Sequence, residues 1–176
     1  RGNKVIYHIH ETSMKPLLFK QFLFGVVKHT ATDVVYVSEF LAKQEPLNIR
    51  KHIIHNALEE EFIKQASLVN EPLKKDKIVL MICSLKAYKG VNEFLKLAQT
   101  NPKYIFKLVV NASKTEIDLF FKGEELPSNL IIYPTQVNTH SFYKEASLVV
   151  NLSDTNLWVE TFGLTVLEAM AYNLPT

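Results

Sequence analysis

Apolar and polar positions along this chain fall into two regimes. Residues 4–10 (KVIYHIH) are β-branched and aromatic with no breaker, and predict a buried strand. Pro16 opens an apolar stretch over residues 17–27 that suits a weakly amphipathic helix. Its lysines, Lys15, Lys20 and Lys28, leave two readings open: a core helix packed on another part of the protein, or a membrane-surface helix. Residues 33–37 (DVVYV) predict a short strand, Ser38 can cap a helix running to about Gln44, and residues 51–55 predict another short strand. The acidic stretch 59–76, with Pro72 and the cluster Lys74, Lys75, Asp76, reads as a linker.

Beyond it the pattern is regular. Strands are predicted at 78–83 (IVLMIC), 105–110, 130–133 and 148–152, and helices at 91–99, 115–122, 140–146 and 162–172. Strands that are apolar throughout and alternate with helices imply a parallel sheet covered on both faces. The predicted fold class is therefore α/β, a doubly wound parallel sheet of Rossmann-like character.

Composition narrows the function. Among 176 residues, 47% are hydrophobic and 22% charged, as in an ordinary soluble domain. Twenty basic against 18 acidic side chains give a net charge of +2, which offers no case for a nucleic-acid partner. The single cysteine, Cys83, excludes an internal disulfide and fits a reducing, cytoplasmic setting. No apolar run reaches bilayer-spanning length, and residues 1–4 do not open a secretory signal. The missing initiator methionine and the stop at Thr176, where a new strand is expected, make this chain read as a fragment of a longer protein.

In open parallel sheets ligands sit beyond the carboxyl ends of strands, here in the loops at 84–90, 111–114, 133–138 and 153–163. Glu168 stands out because its helix is otherwise apolar on nearly every side. A buried carboxylate needs a partner, so Glu168 is either in a structural ion pair or solvent stripe, or accepts hydrogen bonds from ligand hydroxyls. At the start of the same helix, Gly163 permits close approach, and free N–H groups would favour a phosphate. Lys86 and Lys89 lie at a strand-to-helix turn, where they are either simply solvated or neutralise phosphate charge. Neither a G-x-G-x-x-G nor a P-loop motif is present, which argues against a dinucleotide dehydrogenase or a P-loop NTPase. His8 and His10 share a strand face beside Glu11 without an evident third ligand, so no metal site is expected.

The segment NLSDTNLWVETFGLTVLEAMAYNLPT resembles the signature of glycosyltransferase family 4, retaining enzymes of the GT-B fold, whose core is Glu-x7-Glu, here Glu160 and Glu168. IVLMICSLKAYKGVNEFLKLA resembles that family's first donor-domain strand, diphosphate loop and helix. KHIIHNAL resembles the stretch before its interdomain linker, and VIYHIHE with DVVYVSEFL the end of its acceptor domain. The resemblance implies residues 1–58 as a remnant of the acceptor-binding domain, 59–76 as the linker and 77–176 as a truncated nucleotide-sugar donor domain.

It also implies roles. Glu168 would hold the ribose hydroxyls and Glu160 the transferred sugar. Phe162, Gly163, Leu164 and Thr165 would meet the diphosphate or sugar, Lys89 would balance the departing diphosphate, and His10 would lie near acceptor and sugar. The family's Gly-Arg at the start of the diphosphate loop reads Cys83-Ser84 here, so Lys86 either substitutes for the arginine or the donor sits differently. Other family glycines read Ala57, Asn111 and Asn173; Asn is the next best residue for a left-handed helix terminus.

The implied activity is transfer of a sugar from a nucleoside-diphosphate sugar to a glycan or lipid-linked acceptor, with retention and without metal or other cofactor. Peripheral membrane contact of the parent protein is compatible with such acceptors. The fragment alone is expected to be inactive. Two alternatives remain: a GT-B-type sugar-nucleotide epimerase and a non-catalytic nucleotide- or glycan-binding protein.

Overall fold

The computed structural model describes residues 2–11, 16–68, 77–157 and 162–176. The chain divides into two compact units, Arg1–Ala57 with Val159–Gly163, and Leu58–Trp158 with Leu164–Thr176.

In the first unit, β1 (Ile6–Ile9), β2 (Asp33–Tyr36) and β3 (Arg50–Ile53) form a parallel sheet in the order β1-β2-β3. Helix α1 (Leu17–Thr30) connects β1 to β2, and α2 (Glu39–Gln44) connects β2 to β3. As expected, the Ser38 hydroxyl caps α2, accepting the Leu41 N–H at 3.2 Å. The core is Ile9, Val27, Val34, Tyr36, Val37, Leu41 and Ala42, with Phe162 packed against it. β1 is less buried than its composition predicts: Ile6 and His8 are exposed, because among the described residues this strand pairs with β2 alone. Helix α1 buries Val27 and Phe24, whereas Leu17, Leu18, Phe19 and Phe22 are exposed.

A charge cluster closes the amino end of this sheet. The Asp33 carboxylate, 4% exposed, accepts a 2.9 Å hydrogen bond from His52 Nε2 and lies near Lys4 and Arg50, at 3.8 and 3.7 Å. Register explains the gathering, since Asp33 stands opposite both Ile6 and Arg50, and His52 is two residues along β3.

In the second unit, β4 (Ile78–Cys83), β5 (Ile105–Val110), β6 (Leu130–Tyr133) and β7 (Leu148–Val149) form a parallel sheet in the order β6-β5-β4-β7. The helices are α3 (Glu60–Ser67), α4 (Val91–Thr100), α5 (Lys114–Phe120), α6 (His140–Glu145) and α7 (Leu164–Ala171). Pleat alternation divides the sheet between two cores. Val79, Met81, Phe106, Leu108 and Val110 pack with Val91, Phe94 and Ala98 of α4 and Ile117 of α5. Leu80, Val109 and Val149 pack with Ala66, Phe142, Tyr143, Ala169 and Tyr172, from or beside α3, α6 and α7. Both faces of β4 are thereby buried, which is why its sequence shows no polar alternation.

Two local differences from the sequence reading have physical causes. Within the stretch read as a linker, residues 60–67 form α3. Glu60 and Glu61 complement its N-terminal dipole, Lys64 pairs with Glu60 at 3.0 Å, and Phe62 and Ala66 supply its buried face. Helix α7 begins at Leu164 rather than 162, because Gly163 adopts a left-handed conformation (φ 75°). Past its other end Asn173 takes φ 54°, the left-handed terminus expected there, with the Leu174 N–H returning to Ala169 O at 3.1 Å.

The hydrogen bond from His52, with Lys4 and Arg50, holds the Asp33 carboxyl below its ordinary value of 3.8. A depressed folded-state value stabilises the protein at pH above the ordinary carboxylate range, and that contribution disappears as pH falls through the folded value. Asp33→Asn should therefore lower the urea midpoint at pH 7, with the deficit against the native chain shrinking as pH drops below about 4. A deficit independent of pH would assign Asp33 a purely steric role.

Candidate functional site

Strand order fixes where the second unit can receive a ligand. From β4 the chain runs outward through β5 to β6, then returns to place β7 on the other side of β4. The crevice beyond the carboxyl ends of β4 and β7 is thus the topological switch point.

Two loops meet there. After β4, Ser84 and Leu85 lead into a 3₁₀ turn, Ala87–Lys89, ended by Gly90 at φ 78°. After β7, residues 150–157 fold on themselves: Asn151 Oδ1 accepts from the Ser153 N–H at 3.1 Å, and Asp154 Oδ1 from the Asn156 N–H at 2.9 Å. The loops are joined by a hydrogen bond from the Asp154 N–H to Tyr88 O at 2.8 Å. Gly90 makes the approach feasible, since a Cβ there would lie 2.2 Å from Leu152 O.

Of the predicted residues on these loops, Lys86 is exposed and Lys89 half-buried. The Lys89 ammonium lies 5.9 Å from the Tyr88 ring centroid and near the Cys83 thiol. Burial pushes Cys83 up to about 11, with Lys89 working against it, so the thiol is neutral at physiological pH. Ser84 and Lys86 line an open pocket of roughly 290 Å³ with Asn111, Ala112, Glu116 and Phe120. Glu116 is committed elsewhere: it accepts from the Ser113 N–H at 2.7 Å in a capping box at the start of α5, and the Ser113 bonds hold its carboxyl low. The Ser-x-x-Glu spacing at 113–116 is the sequence signal that marks this start.

On α7, Leu164 and Thr165 occupy the first turn, whose N–H groups have no intrahelical carbonyl, and no acidic side chain stands there. Glu168 is half-buried, and its hydrogen-bond partner among the described residues is a phenol. Tyr143 Oη donates to Glu168 Oε2 at 2.5 Å. The Tyr143 ring stacks on Tyr172 (5.5 Å, 14°), and Tyr172 Oη is hydrogen-bonded to His140 Nδ1 at 2.5 Å. Phe62 of α3 meets His140, Tyr143 and Tyr172 at 4.5, 6.2 and 5.9 Å. None of these four aromatic side chains was anticipated from sequence; inside EEEFIKQ, HSFYKEA and AMAYN they look like ordinary helix-face residues.

Phe162 packs in the first unit's core, 6.0 Å from the His55 ring, and Gly163 is buried. Glu160 lies outside the described residues. In the first unit, His10 is exposed just past β1, its ring 4.1 Å from that of His8. Both line a pocket of roughly 360 Å³ with Glu11, Leu23, Phe24 and Val27. Burial, then His10, lowers the His8 imidazole below its ordinary value. Among the described residues no three side chains of His, Cys, Asp or Glu gather as a metal-binding group. Likewise, no helix among them is long and apolar enough to cross a membrane.

The fold is of the Rossmann-like α/β class, with parallel strands in both units. The family model for glycosyl transferases group 1 matches residues 61–176, and the chain belongs to that family. Among solved structures it is similar to a glycosyltransferase from Rickettsia africae ESF-5, at 19% identity and TM-score 0.62, over 96% of this chain and 49% of that one. It is also similar to a GtfA/B complex, at 13% identity and TM-score 0.63, over 98% of this chain and 37% of that one. These likenesses carry the fold, and the chain spans half or less of either structure's length. No curated protein matches it.

Gly90→Ala should destabilise the second unit by about 3 kcal/mol, through positive-φ strain and collision with a backbone carbonyl that has little room to yield. Urea denaturation measures this; a loss below about 0.5 kcal/mol would show that the two loops separate without cost.

Proposed function

We propose that this chain is the nucleotide-sugar-binding part, with a piece of the acceptor-binding part, of a retaining family 4 glycosyltransferase. The protein would move a sugar from a nucleoside diphosphate to a hydroxyl of a glycan or lipid-linked acceptor, without a metal. The observation carrying this reading is the meeting of the Lys86–Lys89 loop with the Leu152–Asp154 loop at the switch point, in a chain of glycosyl transferases group 1.

Chemically, the bond from the sugar's anomeric carbon to the diphosphate must break while negative charge grows on the leaving oxygen. Lys89 and Lys86 would stabilise that charge, together with the backbone N–H groups of Leu164 and Thr165. Ribose hydroxyls would donate to Glu168, and Glu160 would contact the transferred sugar. Acceptor and sugar would lie by His10, with the remaining acceptor contacts supplied by parts of the protein outside this chain. Ser84 stands where the family carries arginine, and Lys86, on the same pocket, supplies the nearest replacement cation on that loop.

Calorimetric titration with UDP, GDP and ADP tests the donor site directly. One of the three is expected to bind, and Glu168→Ala should weaken it by at least about tenfold while the fold is retained. Binding indifferent to Glu168→Ala would remove this residue from the site. In the intact protein, Lys89→Ala should cut turnover by roughly 10²- to 10³-fold with little change in nucleotide affinity; unchanged turnover would exclude Lys89 from the reaction.

A further inference from the structure

An ionised carboxylate on a half-exposed helix face has several rotamers, and a ligand that needs one of them must first freeze it. In this chain that side chain is already held. Tyr143, on α6, is fully buried (0% exposed), and its hydroxyl reaches Glu168 Oε2, on α7, at 2.5 Å. Its ring has no freedom to leave: Tyr172 stacks on it almost parallel at 5.5 Å, and Phe62 packs edge-on at 6.2 Å. Burial, then the bond to Glu168, raises the phenol far above its ordinary value, so it remains a donor throughout the working pH range.

A carboxylate has about four acceptor sites, and the phenol uses one of them. Glu168 Oε1 takes no hydrogen bond among the described residues, which leaves it for a second donor.

Resting on the reading of Glu168 as the ribose-binding residue, we infer that Tyr143 is its positioning residue: the buried phenol fixes the carboxylate so that its open oxygen receives the ribose hydroxyls, giving the site its selectivity for a ribonucleotide. Tyr143 touches no substrate itself. Its effect is confined to the part of the affinity that depends on ribose hydroxyls, and it acts through one hydrogen bond between two helices. The neighbouring Tyr172–His140 bond belongs to the same aromatic cluster but does not touch Glu168, so it provides an internal control.

The experiment measures, for the intact protein, the affinity of whichever of UDP, GDP and ADP binds, and of its 2′,3′-dideoxy form. Their ratio is compared in the native chain and in Tyr143→Phe, Tyr172→Phe and Glu168→Ala. Tyr143→Phe is expected to weaken the ribonucleotide about three- to tenfold and leave the dideoxy form unchanged. Glu168→Ala should abolish the preference, and Tyr172→Phe should retain it. Equal weakening of both nucleotides by Tyr143→Phe would reduce Tyr143 to a structural role and overturn the inference. So would an unchanged ratio, or a loss of preference in Tyr172→Phe equal to that in Tyr143→Phe. If Glu168→Ala leaves ribonucleotide binding intact, or no diphosphate binds, the donor reading itself fails and the positioning role falls with it.

Discussion

Leu152 O occupies the space in which any side chain at position 90 would begin. Most of what is particular to the second unit follows from that backbone contact. Gly90 ends the 3₁₀ turn and starts α4, its own carbonyl accepting the Phe94 N–H at 2.9 Å, so one residue fixes where the Lys86–Lys89 turn stops and where the helix enters the core. The Asp154 N–H to Tyr88 O bond then ties the loop after β7 to that turn. Beneath them β4 is pinned on both faces, Val79 and Met81 in one core and Leu80 in the other. The loops can therefore hold two lysines at the sheet's carboxyl end without a glycine-rich phosphate motif. The scaffold is packed on both faces where strand order reverses, and the loops of the proposed donor site stand on its rim.

What the sequence reveals of this arrangement depends on how far each signal is local. The runs at 78–83 and 105–110 predict their strands to the residue: the first is apolar throughout and mostly buried, and the second is β-branched and aromatic enough to hold its bounds despite Lys107 and an exposed Ile105. Asn173 is legible as a left-handed terminus because few other residues tolerate that conformation. Glu168 is legible as an anomaly, but its partner is not. Tyr143 lies 25 residues away on another helix, and only the packing of α6 beside α7 brings the phenol to the carboxylate. Helix α3 escapes for a different reason: its buried face amounts to Phe62 and Ala66 amid charge, too little periodicity to outweigh a linker-like composition. The early start predicted for α7 fails at Gly163, whose positive φ belongs to the approach rather than the helix.

Helix α3 changes what that composition means. Glu59, Glu60 and Glu61 open the acidic stretch that reads as a linker, and two of them serve a helix N-terminus. The next residue, Phe62, sits among His140, Tyr143 and Tyr172. The stretch thus contributes a wedge to the aromatic cluster behind Glu168.

Loss of the arginine expected beside β4 shifts the balance within the proposed donor site. A guanidinium grips a phosphate with two parallel donors, whereas an ammonium acts as a compact, strongly hydrated point charge. Lys86 shares its pocket with Glu116, whose charge persists because the Ser113 bonds hold its carboxyl low, so part of that lysine's field is offset. Lys89 faces a Cys83 thiol that burial keeps neutral, but an ammonium there still lacks a fork geometry. On the proposed reading, then, the diphosphate is met by diffuse attraction and backbone N–H groups rather than by a directional clamp. Orientation of the donor must come from its other end, where hydroxyls meet a carboxylate already fixed by Tyr143. A site that is electrostatically soft at the phosphates has the most to gain from being geometrically stiff at the ribose.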